Sequence, residues 1–428
     1  LVAHLLGFVG VENQGLAGVE RSLEARIRHP AAGGAPLRLT IDVRVQEIVR
    51  EVLAEARRRF AAAGAGGLVL DIRSGQILGM VSLPDFDPHR IAQVPSAARF
   101  NRNTQGTYEL GSIFKLFTVA MALDAGVVAL EGALDASEPF QVGRHRIRDF
   151  HAKRRWLSVP EIVAFSSNIG AARMADELGV EVQRDYFREL ALLERHEVRL
   201  PEVGSPQIPD PWRPINSITA SYGHGIAVSP LQVADALAAL LCNGPVRPAH
   251  LELDAPPEPR AGPIVRQEIS LMLRWLMWLT VSEGTGKLAQ VPGYLVGGKT
   301  GSADQAGPGG YGDGGLIASF IGAFPIDQPR YVVLVTLDRP VGDEGTHYQA
   351  HGGWTAAPTA GRIMSRIGPL LGVQRSPEDA EGWFRARLVE GRTYSPRLQR
   401  DEPTYAVADG ADWSSIGRGD GPCDCPPC

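Results

Sequence analysis

The stretch YELGSIFKLFTVAMALDAG, residues 108–126, is the most informative part of this 428-residue chain. Ser112 follows a glycine, and Lys115 comes three residues later inside an apolar run that predicts a buried helix. Side chains three residues apart share a face at the start of a helix, so we expect the hydroxyl and the amine to meet. Burial lowers the pKa of a lysine, and a neutral amine can accept a serine proton. The stretch suggests a serine nucleophile with a lysine base, but taken alone it is more often a helix-capping serine with a lysine whose amine reaches solvent.

A second motif lies in FSSNIG, residues 165–170, where Ser166 and Asn168 are separated by one residue. It falls between two predicted helices, because SVPEIVAF carries Ser158, Pro160 and Glu161 at the spacing of a capping box. Taken alone, an S-x-N sequence at this place is an ordinary helix cap.

A third motif lies in GGKTGSA, residues 297–303, on a predicted edge strand. It contains Lys299, Thr300, Gly301 and Ser302. Lys299 provides a cation for a carboxylate, and Gly301 would allow a substrate backbone to approach closely. Taken alone, the motif is a turn at the end of a strand.

The remaining patterns predict an α+β fold. Residues 66–88 read as a β-hairpin, and residues 316–338 read as two strands that flank a turn, preceded by a glycine-rich loop over 304–315. Residues 112–290 are mainly helical, Asp42 is a predicted N-cap, and a final helix is expected over 354–372. Strands at both ends of the chain around a helical middle predict one antiparallel sheet flanked by helices.

Composition excludes several classes of function. The chain is 44% hydrophobic and 21% charged, as in soluble globular proteins, and its net charge of -5 gives no general attraction to nucleic acid or anionic lipid. Four cysteines are too few for a disulfide scaffold, and the role of Cys423, Cys425 and Cys428 stays open. His347 and His351 are interpreted as loop histidines, so neither a metal nor another cofactor is predicted.

The motifs S-x-x-K, S-x-N and K-T-G, in this order, form the signature of penicillin-binding proteins and class A β-lactamases. Over residues 1–372 the chain resembles the class B penicillin-binding proteins, most closely the division-type peptidoglycan D,D-transpeptidases. The resemblance extends to GFVGVENQGLAGVERSLE, LTIDVRVQ, LDIRSGQILGMVSLPDFDP, YGHGIAVSPLQVADALAALL and HGGWTAAP. Two departures are small, since Leu110 stands where the family often has proline and Ser302 replaces a threonine.

The resemblance implies a five-stranded antiparallel sheet flanked by helices, with a helical subdomain. It also implies three regions: a remnant of the N-terminal pedestal (dimerisation) domain at 1–35, the transpeptidase domain at 36–372, and a disordered tail at 373–428 with a short helix around Trp383–Leu388. The family's membrane anchor would lie upstream of Leu1, on a protein acting at the periplasmic face of the cell membrane.

By resemblance, Ser112 attacks the penultimate D-Ala carbonyl of a peptidoglycan stem peptide, and Lys115 takes its proton. Ser166 and Lys299 relay a proton to the leaving amine, while Asn168 holds the stem-peptide amide. Thr300 and Ser302 bind the terminal carboxylate beside Gly301, and the backbone N–H groups of Ser112 and Ser302 hold the oxyanion.

The resemblance implies β-lactams as covalent inhibitors, and a membrane glycosyltransferase and division proteins as partners. A β-lactamase would share the three motifs, and a non-catalytic β-lactam sensor or division scaffold would share the fold. Penicillin labelling followed by a cross-linking assay separates these alternatives.

Overall fold

The computed structural model describes residues 1–29, 36–242, 244, 247–307, 310–376 and 379–388. The strands are β1 (Gly64–Asp71), β2 (Ile77–Leu83), β3 (Ala133–Asp135), β4 (Phe140–Val142), β5 (His145–Ile147), β6 (Trp156–Ser158), β7 (Gly297–Gly307), β8 (Gly310–Phe324) and β9 (Tyr331–Asp338). Five of them form one antiparallel sheet in the order β2-β1-β9-β8-β7, while β3 pairs with β6 and β4 with β5. The predicted α+β fold with a five-stranded antiparallel sheet is confirmed.

Helices surround this sheet and form a subdomain between β2 and β7. They are α1 (Ala3–Leu6), α2 (Gly18–Ser22), α3 (Glu24–Arg28), α4 (Val43–Arg59), α5 (Ser96–Arg99), α6 (Lys115–Asp124), α7 (Val159–Phe165), α8 (Asn168–Leu178), α9 (Val180–Glu189), α10 (Pro214–Ala220), α11 (Pro230–Leu241), α12 (Gln267–Ser282), α13 (Ala356–Leu370) and α14 (Ala380–Leu388). Within the described residues, none of them is both long and apolar enough to cross a bilayer.

The sheet is buried on both faces, and each strand contributes to two cores because its successive side chains point to opposite sides. In β1, Leu68 and Leu70 belong to one apolar core, whereas Ala65 and Val69 belong to the other. Helices α4 and α13 cover the second core, and α6, α11 and α12 lie in the first. The first core also carries the helical subdomain, so one continuous apolar interior connects the sheet to the elements that bear the S-x-x-K and S-x-N motifs.

The predicted helix starts are confirmed by their hydrogen bonds. The Asp42 carboxylate accepts from the backbone N–H of Arg44 at 2.9 Å at the start of α4. Ser158 and Glu161 form a reciprocal capping box before α7, which fixes the orientation of the helix that leads to Ser166.

One prediction from the sequence is wrong at the hairpin between β7 and β8. The glycine-rich residues 304–315 do not form a loop throughout, since β7 continues to Gly307 and β8 begins at Gly310. Backbone pairing along a long hairpin, which includes Asp304 opposite Leu316, overrides the low strand propensity of glycine.

The expected disordered tail is wrong for residues 373–376 and 379–388, although its short helix is present as α14. Phe384 is fully buried and its ring centre lies 5.6 Å from that of Trp278. The Ser376 hydroxyl donates to Asp327 at 3.1 Å and accepts from the backbone N–H of Leu295 at 2.9 Å. The packed unit therefore extends beyond residue 372, and the rest of the predicted tail, with its three cysteines, lies outside the described residues.

The N-terminal segment 1–29 packs against the larger domain. Leu5 is 1% exposed, and a ring nitrogen of His4 lies 2.8 Å from the carbonyl oxygen of Ala98. The buried carboxylate of Glu252 forms salt bridges with Arg26 of this segment and with Arg199. Both apolar and ionic contacts therefore attach these residues to the domain.

Candidate active site

Ser112 lies at a sharp bend of the backbone. Gly111 has a left-handed φ of 56° and begins a 3-10 turn, Gly111–Phe114, that runs directly into α6. A Cβ at Gly111 would lie 2.7 Å from the carbonyl oxygen of Ser302. The bend therefore requires glycine, and it places a half-buried Ser112 beside β7.

The Lys115 amine lies among oxygen atoms only. Its Nζ is 2.9 Å from Ser112 Oγ, 2.7 Å from the carbonyl oxygen of Ser166, 2.7 Å from Asn168 Oδ1 and 3.1 Å from Ser166 Oγ. The carbonyl and amide oxygens can only accept, so they engage both N–H bonds of a neutral amine. Its lone pair is then left for a serine hydroxyl, and Ser112 Oγ is the nearer of the two.

The surroundings of Lys115 favour that neutral form. Burial lowers the pKa of Lys115 well below its ordinary value, the positive charge of Lys299 lowers it further, and the carboxylate of Asp149 opposes both effects. The side chain is only 1% exposed, so water cannot hydrate the charged ammonium form. In this neutral form the Lys115 amine can accept a proton from the Ser112 hydroxyl, 2.9 Å away.

Lys299 lies on the other side of Ser166. Its Nζ donates to Ser166 Oγ at 3.0 Å, and burial lowers the pKa of Lys299 to about 7. The Ser166 hydroxyl is therefore within hydrogen-bonding distance of both amines. A continuous chain of polar atoms connects Ser112, Lys115, Ser166 and Lys299, as proton transfer between the first and the last of them requires.

The turn that carries Ser166 is held by a residue that the sequence did not indicate. Ser166 has left-handed angles (φ 64°, ψ 46°), which are uncommon for serine. The carboxylate of Asp149 accepts from the Ser167 hydroxyl at 2.8 Å and from the Ile169 N–H at 2.9 Å. Asn168 Nδ2 donates to the Arg148 carbonyl at 3.1 Å. Asp149 stands alone among basic residues in the sequence, where no motif distinguished it from a surface carboxylate.

The third motif lies on β7, the end strand of the sheet. Thr300 Oγ1 is 2.9 Å from Thr285 Oγ1, and Ser302 Oγ accepts from the Gly352 N–H at 3.0 Å. A Cβ at Gly301 would lie 2.2 Å from the Leu110 carbonyl oxygen. The close Leu110 backbone therefore leaves no space for a side chain at position 301. From the sequence alone, this glycine is instead explained by the approach of a substrate backbone.

The loop before Ser112 has a second anchor, also missed in the sequence. Glu109 accepts from the Gly225 N–H at 2.9 Å and lies 2.9 Å from His224 Nδ1. The hydrogen bond to Glu109 raises the pKa of His224. A Cβ at Gly223 would lie 2.1 Å from the Gly111 carbonyl oxygen, so the two loops are in close contact.

The structure brings all the predicted site residues into one region, at the junction of α6, the α7–α8 turn and β7. Its chemistry uses oxygen and amine groups. In the described ranges, no group of three His, Cys, Asp or Glu side chains is arranged around a position for a metal ion.

Comparison with known proteins agrees with the resemblance inferred from the three motifs. Residues 65–365 match the model of the penicillin-binding protein transpeptidase domain. The probable peptidoglycan D,D-transpeptidase FtsI of Caulobacter vibrioides is 40% identical over 88% of this chain and 66% of its own length. The probable peptidoglycan D,D-transpeptidase PenA of Neisseria meningitidis is 32% identical over 87% of this chain and 68% of its own length. The chain thus spans about two thirds of these relatives.

Solved structures share the fold. Penicillin-binding protein 3 from Mycobacterium tuberculosis in its apo form superposes with a TM-score of 0.79 and 26% identity, covering 88% of this chain and 90% of that protein. The same protein has been solved in complex with aztreonam, with a TM-score of 0.77.

Proposed function

The chain belongs to the penicillin-binding protein family through its transpeptidase domain, and we propose that it cross-links peptidoglycan stem peptides as a serine D,D-transpeptidase. The resemblance to class B, division-type members inferred from the sequence is confirmed. Because the chain spans 66% of the Caulobacter relative's length, the activity, substrates and partners of the whole protein belong to this proposal.

One observation carries the proposal. The Lys115 amine lies 2.7 Å from two oxygens that can only accept hydrogen bonds, the Ser166 carbonyl oxygen and Asn168 Oδ1. Its lone pair is left for Ser112 Oγ, 2.9 Å away. A nucleophile within hydrogen-bonding distance of a base that other groups hold in place is the arrangement that serine acyl transfer needs.

In the proposed acylation one covalent bond forms, one breaks and two protons are transferred. Ser112 Oγ attacks the carbonyl of the penultimate D-Ala while Lys115 Nζ takes the hydroxyl proton. The oxyanion is held by the backbone N–H groups of Ser112 and Ser302, an arrangement in which each donor is typically worth about 3 kcal/mol of barrier. Lys299 and Ser166 deliver a proton to the amine of the terminal D-Ala, the C–N bond breaks, and D-Ala leaves.

The same groups then resolve the acyl-enzyme. An amine of a neighbouring stem peptide attacks the Ser112 ester, gives up a proton to the Lys115 and Ser166 pathway, and forms the cross-linking amide as Ser112 Oγ is reprotonated. A β-lactam would acylate Ser112 by the same attack, with the ring C–N bond breaking; the M. tuberculosis relative was solved with aztreonam.

Substrate contacts complete the proposal. The hydroxyls of Thr300 and Ser302 bind the terminal carboxylate at the edge of β7. Asn168 uses its amide oxygen for Lys115 and one N–H for the Arg148 carbonyl. We assign its second N–H to a stem-peptide carbonyl, which agrees with the role implied by the resemblance.

The setting of the enzyme follows from its substrate. Peptidoglycan lies outside the cytoplasmic membrane, so we propose that the domain acts there, with a glycosyltransferase and division proteins as partners. Residues 1–35 are assigned to a remnant of the pedestal domain, whose described part, residues 1–29, is attached through contacts that include the salt bridge between Arg26 and Glu252.

The test uses a donor peptide ending in D-Ala-D-Ala together with an acceptor amine. Release of D-Ala and formation of the cross-linked product should both depend on Ser112. Release of D-Ala without product would indicate a hydrolase, and penicillin labelling without either reaction would indicate a sensor or scaffold.

A further inference from the structure

A basic segment borders the candidate active site. Residues 144–155, RHRIRDFHAKRR, contain six cationic side chains and one carboxylate, although the whole chain has a net charge of -5. Arg155 pairs with Glu161. Within the part of the chain that the structure describes, the others are exposed and form no salt bridge: Arg144, Arg146, Arg148, Lys153 and Arg154. We call residues 144–154 the basic segment.

The hairpin formed by β4 and β5 directs Arg144, Arg146 and, just after it, Arg148 into solvent. Gly143 has a left-handed φ of 55°, and Val142 pairs with His145, so Arg144 lies at the tip of a two-residue turn. Ile147 is buried against Ala172 and Ile218. Since side chains alternate along a strand, the residues on either side of Ile147 face outward.

The basic segment is fixed to the second motif along its length. The Arg148 carbonyl accepts from Asn168, and the carboxylate of Asp149 holds the Ser167 hydroxyl. The ammonium of Lys153 lies 4.5 Å from the ring centre of Phe165, the residue before Ser166. Its position relative to the nucleophile is therefore set by direct contacts.

The segment also reaches the wall that carries the third motif. The ring of Phe150, 76% exposed, lies 5.3 Å from that of His351. The next residue, Gly352, donates its N–H to Ser302 Oγ. The basic segment thus extends along the opening of the site from the S-x-N turn to the K-T-G strand.

Given the proposed function, we infer that the basic segment binds the interior carboxylates of stem peptides. The terminal carboxylate is already assigned to Thr300 and Ser302, which leaves this surface for acidic side chains and α-carboxylates further along the peptide. Exposed cations without acidic partners attract anions, whereas the net negative remainder of the protein does not. Such complementarity acts mainly on the capture and orientation of a charged ligand.

The test compares two donor peptides that end in D-Ala-D-Ala and differ only by glutamate or glutamine at an interior position. D-Ala release should show a lower KM for the glutamate peptide, by about threefold or more, and added salt should reduce the difference. The variant Arg144→Gln/Arg146→Gln should lose this preference while kcat stays unchanged. The control Arg21→Gln/Arg58→Gln, on α2 and α4, removes the same charge and should keep the preference.

Two results would overturn the inference. One is an equal KM for both peptides in the wild type; the other is an unchanged preference in Arg144→Gln/Arg146→Gln. A variant that keeps the peptide preference but loses binding to phosphatidylglycerol vesicles would assign the segment to a membrane instead. D-Ala release by the wild type separates this failure from that of the proposed function: no release from either peptide would contradict the proposed function, whereas release from both with equal KM overturns only this inference. Normal labelling of Ser112 by fluorescent penicillin in both double variants shows that their sites are folded.

Discussion

Replacing Lys115 by arginine should nearly abolish acylation of Ser112 by penicillin. The positive charge is kept, but a guanidinium does not deprotonate in a protein and cannot accept the serine proton. The loss of a positioned general base typically costs about 10²- to 10⁴-fold in rate. The result expected here is near the upper end, since Lys115 Nζ is the atom that faces Ser112 Oγ, at 2.9 Å.

The structure also sets the cost to stability. Lys115 is 1% exposed and its amine already contacts oxygens of Ser166 and Asn168, so the larger guanidinium is overpacked by about 1–3 kcal/mol. Lys115→Met removes base and charge with a similar volume, and it should lose acylation to the same extent. Unfolding curves for both variants show whether the fold persists.

The assay is the second-order rate of labelling by a fluorescent penicillin, read at several pH values. A folded arginine variant that is acylated within about tenfold of the wild-type rate would refute the assignment of Lys115 as the base, because a permanent cation would then suffice.

The remaining predictions concern residues around this base. Acylation should rise with pH through the pKa of Lys115, and Asp149→Asn should move that rise to lower pH by removing the carboxylate that raises the lysine pKa; an unmoved or upward-shifted pH profile contradicts this. The rate of D-Ala release should fall above about pH 7, because Lys299 must be protonated to deliver a proton to the leaving amine and burial lowers its pKa to about 7. This fall should be absent in Lys299→Met; a fall that persists in the variant would assign it to another group. Phe384→Ala should lower the free energy of unfolding in urea by about 3–5 kcal/mol, since the ring is fully buried; a loss below about 1 kcal/mol would mean that α14 is not part of the packed unit. Gly301→Ala should reduce acylation severely, because its Cβ would lie 2.2 Å from a backbone oxygen; normal rates would show that the strand can shift at no cost.

Much of the fold was predictable because its signals are local. The two apolar runs on either side of the turn at Ser74 and Gly75 predicted β1 and β2, and the capping box at Ser158 predicted the start of α7. Sequence patterns failed where long-range pairing or packing determines the structure. β8 continues through glycines because it pairs with β7, and Phe384 packs against Trp278 of α12 although no apolar periodicity in the tail predicts this contact.

The candidate site was likewise predictable where its signals are local, and not where it depends on long-range contacts. Its motifs indicated the side chains that the structure brings together, since each motif is a short run with a fixed spacing. Asp149 and Glu109 hold the loops that carry those side chains through contacts with Ser167 and with Gly225, and a single carboxylate carries no sequence pattern that reveals such a contact. The close contact between Gly301 and the Leu110 carbonyl likewise exists only once strand and loop meet.

The most direct test of the central claim is mass spectrometry of the protein after reaction with a D-Ala-D-Ala donor peptide or a penicillin. We expect an acyl adduct on the peptide that contains Ser112, with loss of terminal D-Ala from the donor, and no adduct in a folded Ser112→Ala variant. An adduct on a different residue, or one that persists in Ser112→Ala, would contradict the claim that Ser112 is the nucleophile.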